Sequence, residues 1–166
     1  MEVMLRDMFI RYFVELPLPA VRVEQVLCES PASWIPGIAD EANARGVLLL
    51  AGIGLGDRAR LTRRVAVEVG EPMRFPSRTV IPLRWQPAST AGLLPALDAD
   101  LEVAPLTAES TQLSMSARYT PPLGAVGSAI DRAFLHRVAE ATVKDFLDRV
   151  GSMLTAAAGL VRETSG

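Results

Sequence analysis

Three carboxylates alternate with apolar residues in one short stretch of this sequence. Asp98, Asp100 and Glu102 lie two positions apart, so a β-strand would place all three on one face. Carboxylates held together in this way can carry acid–base or metal chemistry. A solvent-facing strand produces the same row without any function, and we predict that these side chains pair across the sheet with arginines. The candidate arginines are Arg64, Arg78, Arg84 and Arg118.

The single histidine and the single cysteine have no neighbours that would make either one catalytic. His136 lies two residues past Phe134, well round from the apolar stripe of its predicted helix, so we expect it at the surface or on the helix flank. Cys28 has no adjacent histidine to lower its pKa, which predicts a buried, inert thiol. One cysteine and one histidine are too few for a zinc site. We therefore predict no catalytic residue, no metal and no cofactor.

One arginine shares the strand parity of apolar residues. Arg63 alternates in step with Leu61, Val65 and Val67, which would direct its guanidinium toward the covered face of a sheet. There it could bind a carboxylate or carbonyl of an otherwise apolar ligand. The alternative is a strand end or bulge at which the side chain reaches water.

Three large aromatic side chains also share the parity of the apolar side of their strands. Tyr12, Trp85 and Tyr119 could line a pocket, and each carries one polar group. Ordinary core packing explains the same parity, and the sequence leaves both interpretations open.

The order of predicted elements is strand, two short helices, a series of strands and one long helix. Strands are predicted from alternating or continuous apolar residues. Their ranges are Met8 to Leu16, Gly46 to Gly54, Leu61 to Val69, Ser77 to Trp85, Ala96 to Ala104 and Thr111 to Tyr119. The first short helix runs from Ala20 to Glu29, and Ser30-Pro31 is typical of the start of the second.

The period changes after Pro121 and Pro122. From about Gly124 to Leu154 apolar residues recur at helical spacing, which predicts a helix long enough to cross a sheet. We expect a single domain over residues 1–154 and a tail over residues 155–166. A single amphipathic helix can bury one face of an antiparallel sheet, so the sheet must curl round it.

Composition limits the possible partners. The chain has 166 residues, of which 49% are hydrophobic and 22% charged, and its mean hydropathy is +0.25. A net charge of −2 argues against nucleic acid as a partner.

Charges interrupt the apolar N-terminus, so no signal peptide is expected, and no window is long enough to span a bilayer. The single cysteine fits a cytoplasmic location. We expect a monomer or a homodimer.

Three stretches carry a family resemblance that covers about Asp7 to Leu154. They are FVELPLPAVRVEQVLCESPASWIPGI, LDADLEVAPL and RYTPPLGAVGSAIDRAFLHRVAEATVKDFLDRV. The sequence resembles the START-related helix-grip superfamily, also labelled SRPBCC or polyketide cyclase/dehydrase and lipid-transport-like proteins. The resemblance implies an α+β helix-grip fold, a curved antiparallel sheet of six or seven strands around a long C-terminal helix, with two short helices after strand 1.

The resemblance also implies a cavity between sheet and helix that binds or transports a small hydrophobic ligand, such as a lipid, sterol or polyketide. Two alternatives stay open, an aromatase/cyclase-type enzyme in which Arg63, Tyr119 or Trp85 orient a polyketide-like substrate, and a protein-interaction module that uses the apolar face. The predicted ligand-binding side chains are Tyr12, Arg63, Trp85, Met115, Tyr119, Val126, Ile130 and Phe134.

Overall fold

The computed structural model describes residues 8–54, 65–87, 96–120 and 132–163. Within these residues it contains six strands and three helices. The strands are β1 (Met8–Leu16), β2 (Val65–Val69), β3 (Met73–Phe75), β4 (Arg78–Pro87), β5 (Ala96–Pro105) and β6 (Thr111–Thr120). The helices are α1 (Ala20–Cys28), α2 (Pro31–Ala51) and α3 (Arg132–Glu163).

All six strands belong to one antiparallel sheet. Its order is β1-β6-β5-β4-β2, and β3 pairs with β4 beside β2. The strand β1 is therefore an edge of the sheet. Because side chains alternate along each strand, the sheet has an inner face that is apolar and an outer face on which most side chains are polar or charged.

The long helix α3 covers the inner face. Its buried residues include Val143, Phe146, Val150 and Leu154, which pack in one core with the inner-face residues of the sheet. Full burial of each such side chain contributes about 1.5–3 kcal/mol of hydrophobic stabilisation. Since α3 already covers the apolar face, that face is not free to serve as a protein-interaction surface.

The helices α1 and α2 meet at a tight junction. Ser30 has a φ of 48°, in the left-handed region, and Pro31 occupies the first turn of α2. The Ser33 N–H and hydroxyl both donate to the carbonyl of Ser30, at 2.9 and 2.6 Å. The predicted start of the second helix at Ser30-Pro31 is confirmed, although the Ser30 side chain makes no capping hydrogen bond.

The predicted strand from Gly46 to Gly54 is wrong. Residues up to Ala51 continue α2, which is 21 residues long, and the chain turns at 52–54. Along α2 the buried residues recur every three or four positions, which is the period of a helix. These residues are Ile35, Ala39, Ala42, Gly46 and Leu50. The helix α2 packs against both α3 and β2, which covers most of the apolar run, although Leu48 within it is 64% exposed.

Two other features differ from the prediction, and one prediction is only partly covered by the described residues. The short strand β3 was not predicted, since three residues are too few to show a period. The helix α3 continues to Glu163, beyond the predicted end of the helix at Leu154. Of the strand predicted from Leu61 to Val69, the structure describes Val65–Val69, and residues 61–64 lie outside the described residues. The other predicted strands agree within two residues at each end.

Candidate functional site

One row of inner-face residues crosses the sheet at the end where α3 begins. The pairing register places Met8 opposite Tyr119, Tyr119 opposite Leu97, Leu97 opposite Trp85, and Trp85 opposite Val67. We call this row and the first turns of α3 the Tyr119 end. Five described elements reach it, because β1, β2 and β5 start here and β4 and β6 finish here.

Trp85, Met115 and Tyr119 all lie on the inner face of the sheet, as their strand parity predicted. All three are buried, with at most 1% of their surface exposed, and all belong to the core between the sheet and α3. The Trp85 ring meets Phe146 of α3 edge to face, with centroids 5.4 Å apart and an interplanar angle of 76°. Such a pair contributes about 0.5–1.5 kcal/mol beyond its buried area. These residues form a packed wall beneath the helix.

Tyr12 lies at the margin of this core. It is half-buried, and its hydroxyl donates a hydrogen bond to Asp148 Oδ1 of α3 at 3.2 Å. Burial and the neighbouring Asp148 carboxylate raise the pKa of Tyr12 above its usual value. The side chain thus ties the edge strand β1 to α3.

The predicted lining residues of the long helix are distributed differently. Phe134 is half-buried and packs with Val138 of α3 and Leu50 of α2, in a second small core beside the main one. It therefore packs against α2 in this second core. Arg63, Val126 and Ile130 lie outside the described residues.

Tyr119 carries a phenol into an apolar environment. Its hydroxyl donates a hydrogen bond to Met8 Sδ at 2.7 Å, and burial raises the pKa of Tyr119 to about 12. A thioether sulfur is a weak acceptor compared with oxygen. The hydroxyl is therefore satisfied by a partner that a carbonyl or hydroxyl oxygen could replace favourably.

His136 lies beside Tyr119, with ring centroids 6.0 Å apart. Its Nδ1 is buried and has no hydrogen-bond partner among the described residues, while Nε2 is 4.0 Å from Glu140 Oε2. Buried polar atoms without a partner are rare in native structures and cost about 1–3 kcal/mol. The Tyr119 end thus contains two polar groups that lack a strong partner.

The expected position of His136 was only partly right. The side chain lies on the helix flank, 35% exposed, yet one ring nitrogen faces the interior. The sequence prediction took Phe134 as part of the core-facing stripe of the helix, but Phe134 contacts α2. Measured from the buried Ala139 and Val143, three and seven residues later, position 136 lies on the core side of the helix. That spacing was the signal in the sequence.

The acidic row lies on the outer face and forms cross-strand ion pairs. Glu102 is 3.7 Å from Arg78, and Asp98 is 3.5 Å from Arg84, which confirms the structural interpretation of the row.

Cys28 is half-buried, and burial raises the pKa of its thiol, which disfavours the reactive thiolate. Among the described side chains, no group of three or more His, Cys, Asp or Glu could hold a metal ion.

Three clefts lined by described residues lie away from the Tyr119 end. One of about 540 Å³ crosses the outer face of the sheet past Phe9, Arg118 and Asp98. Another of about 600 Å³ lies where the end of β1 meets α3, and a third of about 520 Å³ lies between α2 and α3.

In the described part of the chain, no helix is both long and apolar enough to cross a membrane.

Comparison with known proteins gives similarity in structure without similarity in sequence. No protein-family model matches the chain, and no curated protein matches it significantly. A conserved protein from Geobacillus kaustophilus is 14% identical with a TM-score of 0.52, and the match covers 90% of this chain and 97% of that one. At this identity the likeness concerns the fold alone.

The chain has a helix-grip α+β fold, an antiparallel sheet against a long C-terminal helix with two helices after the first strand. Two further solved structures have TM-scores below 0.5 and add nothing to that assignment. The Zhui aromatase/cyclase from Streptomyces sp. is 14% identical with a TM-score of 0.39, covering 92% of this chain and 98% of that one. A START superfamily protein from Mycobacterium smegmatis is 12% identical with a TM-score of 0.40, covering 89% and 99%.

Proposed function

We propose that the protein binds a small, largely apolar molecule with one hydrogen-bonding group, at the Tyr119 end between the sheet and α3. The observation that carries this proposal is the buried Nδ1 of His136, which has no hydrogen-bond partner among the described residues. A ligand carbonyl or hydroxyl at this position would supply the missing hydrogen bond.

The neighbouring Tyr119 supports the same ligand chemistry. Its hydroxyl, now bonded to Met8 Sδ, could donate to a ligand oxygen instead. Met8 is half-buried at the edge of the sheet, and a methionine side chain changes rotamer easily. In this account the ligand displaces the Met8 thioether and bonds Tyr119 and His136, while its apolar body contacts Trp85 and Leu97. The cytoplasmic location predicted from the single cysteine belongs to the same proposal.

The experiment uses the emission of Trp85. In a Trp34→Phe background, Trp85 is the one remaining tryptophan. The purified protein is titrated with a long-chain fatty alcohol, a sterol and an aromatic polyketide, and both emission and unfolding temperature are recorded. At least one probe should change both quantities. Loss of one hydrogen bond in Tyr119→Phe or His136→Leu should weaken its binding about three- to tenfold.

The matched control removes a different hydroxyl from α3. Thr155 is half-buried, and its Oγ1 donates to the carbonyl of Gly151, far along the helix from the Tyr119 end. Thr155→Val should leave probe binding unchanged. The proposal is contradicted if no probe alters emission or unfolding temperature, or if Thr155→Val weakens binding as much as the two site variants.

A second candidate function is cyclisation of a polyketide-like substrate. It is favoured by the closeness of Tyr119 and His136, because two groups that can exchange protons lie side by side in a mostly apolar site. Under this alternative, replacing His136 by Leu in the host alters the products that accumulate. An unchanged product profile after deletion of the whole gene would exclude it.

A further inference from the structure

Among the described strands, β1 has a neighbour on one side only, so its other edge is not paired with any described residue. It is nine residues long, lies at one end of the sheet order, and contains no proline or lysine to block a further strand. On the outer face it exposes two large aromatic side chains, Phe9 at 69% and Phe13 at 62%. The Phe9 ring is covered in part by the Arg118 guanidinium, 5.1 Å from its centroid. Phe13 lies opposite the small side chain of Ser114.

Two charges flank Phe13 at equal distance along the strand. Arg11 precedes it by two residues and Glu15 follows it by two, so all three lie on the outer face. Both charged side chains are exposed, and neither makes an ion pair with another described residue. Their neighbours on β6 are uncharged, Ser116 beside Arg11 and Gln112 beside Glu15.

We infer that β1 pairs antiparallel with β1 of a second copy of this chain, about a two-fold axis at Phe13. This register places Phe13 opposite Phe13 of the second copy. It also places Arg11 of each chain opposite Glu15 of the other, so the same ion pair forms twice. Aromatic and opposite-charge pairs are the cross-strand pairs that stabilise an antiparallel ladder.

The neighbouring registers are less favourable. A two-fold axis at Arg11 would place two arginines opposite each other, and like charges in that position are destabilising. An axis at Tyr12 would place each Arg11 opposite a Phe13 and leave Glu15 opposite Phe9. Charge complementarity therefore selects the axis at Phe13.

The helix side of the edge leaves room for the second strand. The cleft of about 600 Å³ where the end of β1 meets α3 is lined on the helix by Asp148, Gly151, Ser152, Thr155 and Ala156. Apart from Asp148, which accepts a hydrogen bond from Tyr12, these described residues have small or short side chains. The pairing joins the two sheets into one continuous sheet.

Light scattering after size-exclusion chromatography tests the inference on the full chain, over about a hundredfold range of concentration. The wild type should approach twice the 17.9 kDa of one chain as concentration rises. Arg11→Glu and Glu15→Arg each create two like-charge contacts, so each should raise the dimer dissociation constant at least about tenfold.

Mixing the two variants is the decisive step. An Arg11→Glu chain beside a Glu15→Arg chain has opposite charges at both contacts, so an equimolar mixture should form a heterodimer although neither variant dimerises well alone. Arg137→Glu, an equal charge change at an exposed position of α3, should dimerise like the wild type.

Three results would overturn the inference. They are a wild type that stays monomeric at every concentration, single variants that dimerise like the wild type, and a mixture that fails to associate. Circular dichroism and unfolding temperature show whether each variant is folded. Because dimerisation is measured without ligand, failure here leaves the proposed ligand site unaffected.

Discussion

Tyr119 combines full burial with an ionisable hydroxyl, and its titration can be measured. Burial raises the pKa of Tyr119 to about 12, against an ordinary value of 10.0 that applies to the unfolded chain. The folded state therefore favours the neutral phenol. Its contribution to stability is fully present below pH 10 and is lost as the pH rises toward 12.

We predict that the wild type loses more stability than Tyr119→Phe between pH 10 and pH 12. The extra loss in the free energy of unfolding should be on the order of 2 kcal/mol, because the phenylalanine has no proton to lose. Urea denaturation at several pH values in this window measures it. All other titratable groups are the same in both proteins, so equal losses would show that Tyr119 is not buried as described.

At the residue scale, the sequence predicted which face of the sheet a side chain lies on, but it did not predict which side chains that residue contacts. Strand parity placed Trp85, Met115 and Tyr119 on the inner face, because alternation is a local property of the backbone. The missing hydrogen bond of His136 depends on which helix face meets the sheet, and that is set by tertiary packing. Without α2 as a neighbour, Phe134 looked like the centre of the core-facing stripe.

At the scale of elements, two glycines lie in opposite environments. A Cβ at Gly70 would lie 2.6 Å from Cγ of the Pro82 ring and 3.2 Å from the Pro82 carbonyl oxygen, to which the Gly70 N–H donates at 2.8 Å. A Cβ at Gly37, inside α2, would meet nothing within 4 Å. Position 70 requires glycine because the Pro82 ring and carbonyl lie too close for a Cβ. The glycine at position 37 has no such neighbour and only lowers the stability of α2.

We predict opposite effects when each is replaced by alanine. Gly37→Ala should raise the free energy of unfolding by about 0.5–1 kcal/mol, because alanine favours the helix. Gly70→Ala should lower it by about 1–3 kcal/mol, because a proline ring cannot rotate away from the new methyl group. Urea denaturation of both variants checks the pair. Equal effects, or a stabilising Gly70→Ala, would contradict the packing of residue 70 against β4.

The two errors in the predicted elements, the strand at Gly46 to Gly54 and the missing β3, have physical causes. The run from Gly46 is apolar on consecutive positions, and such a run suits both a buried strand and a helix covered on two sides. Its membership in α2 follows from the burial of Ile35, Ala39 and Ala42 earlier in the same helix. The strand β3 is held by a tight hairpin to β4, in which Phe75 pairs with Arg78, and three residues are too few to show a strand period.

At the scale of the whole molecule, one arrangement explains the fold and the proposed function. A six-stranded antiparallel sheet buries its apolar face under α3, and the row from Met8 to Val67 closes the end at which α3 begins. The order of elements predicted this architecture, because short connections favour antiparallel neighbours and one helix can cover one face. The chemistry of the interior depends on which side chains meet at the Tyr119 end.

Native mass spectrometry of the protein purified from its own host tests the central claim most directly. We expect a ligand-bound population whose mass exceeds the 17.9 kDa of the chain by the mass of one small molecule. Organic solvent should release that molecule. That population should persist in Thr155→Val and be reduced in a variant that combines Tyr119→Phe with His136→Leu. Spectra showing the unliganded chain or its dimer alone in every preparation, with no molecule in the solvent extract, would contradict it.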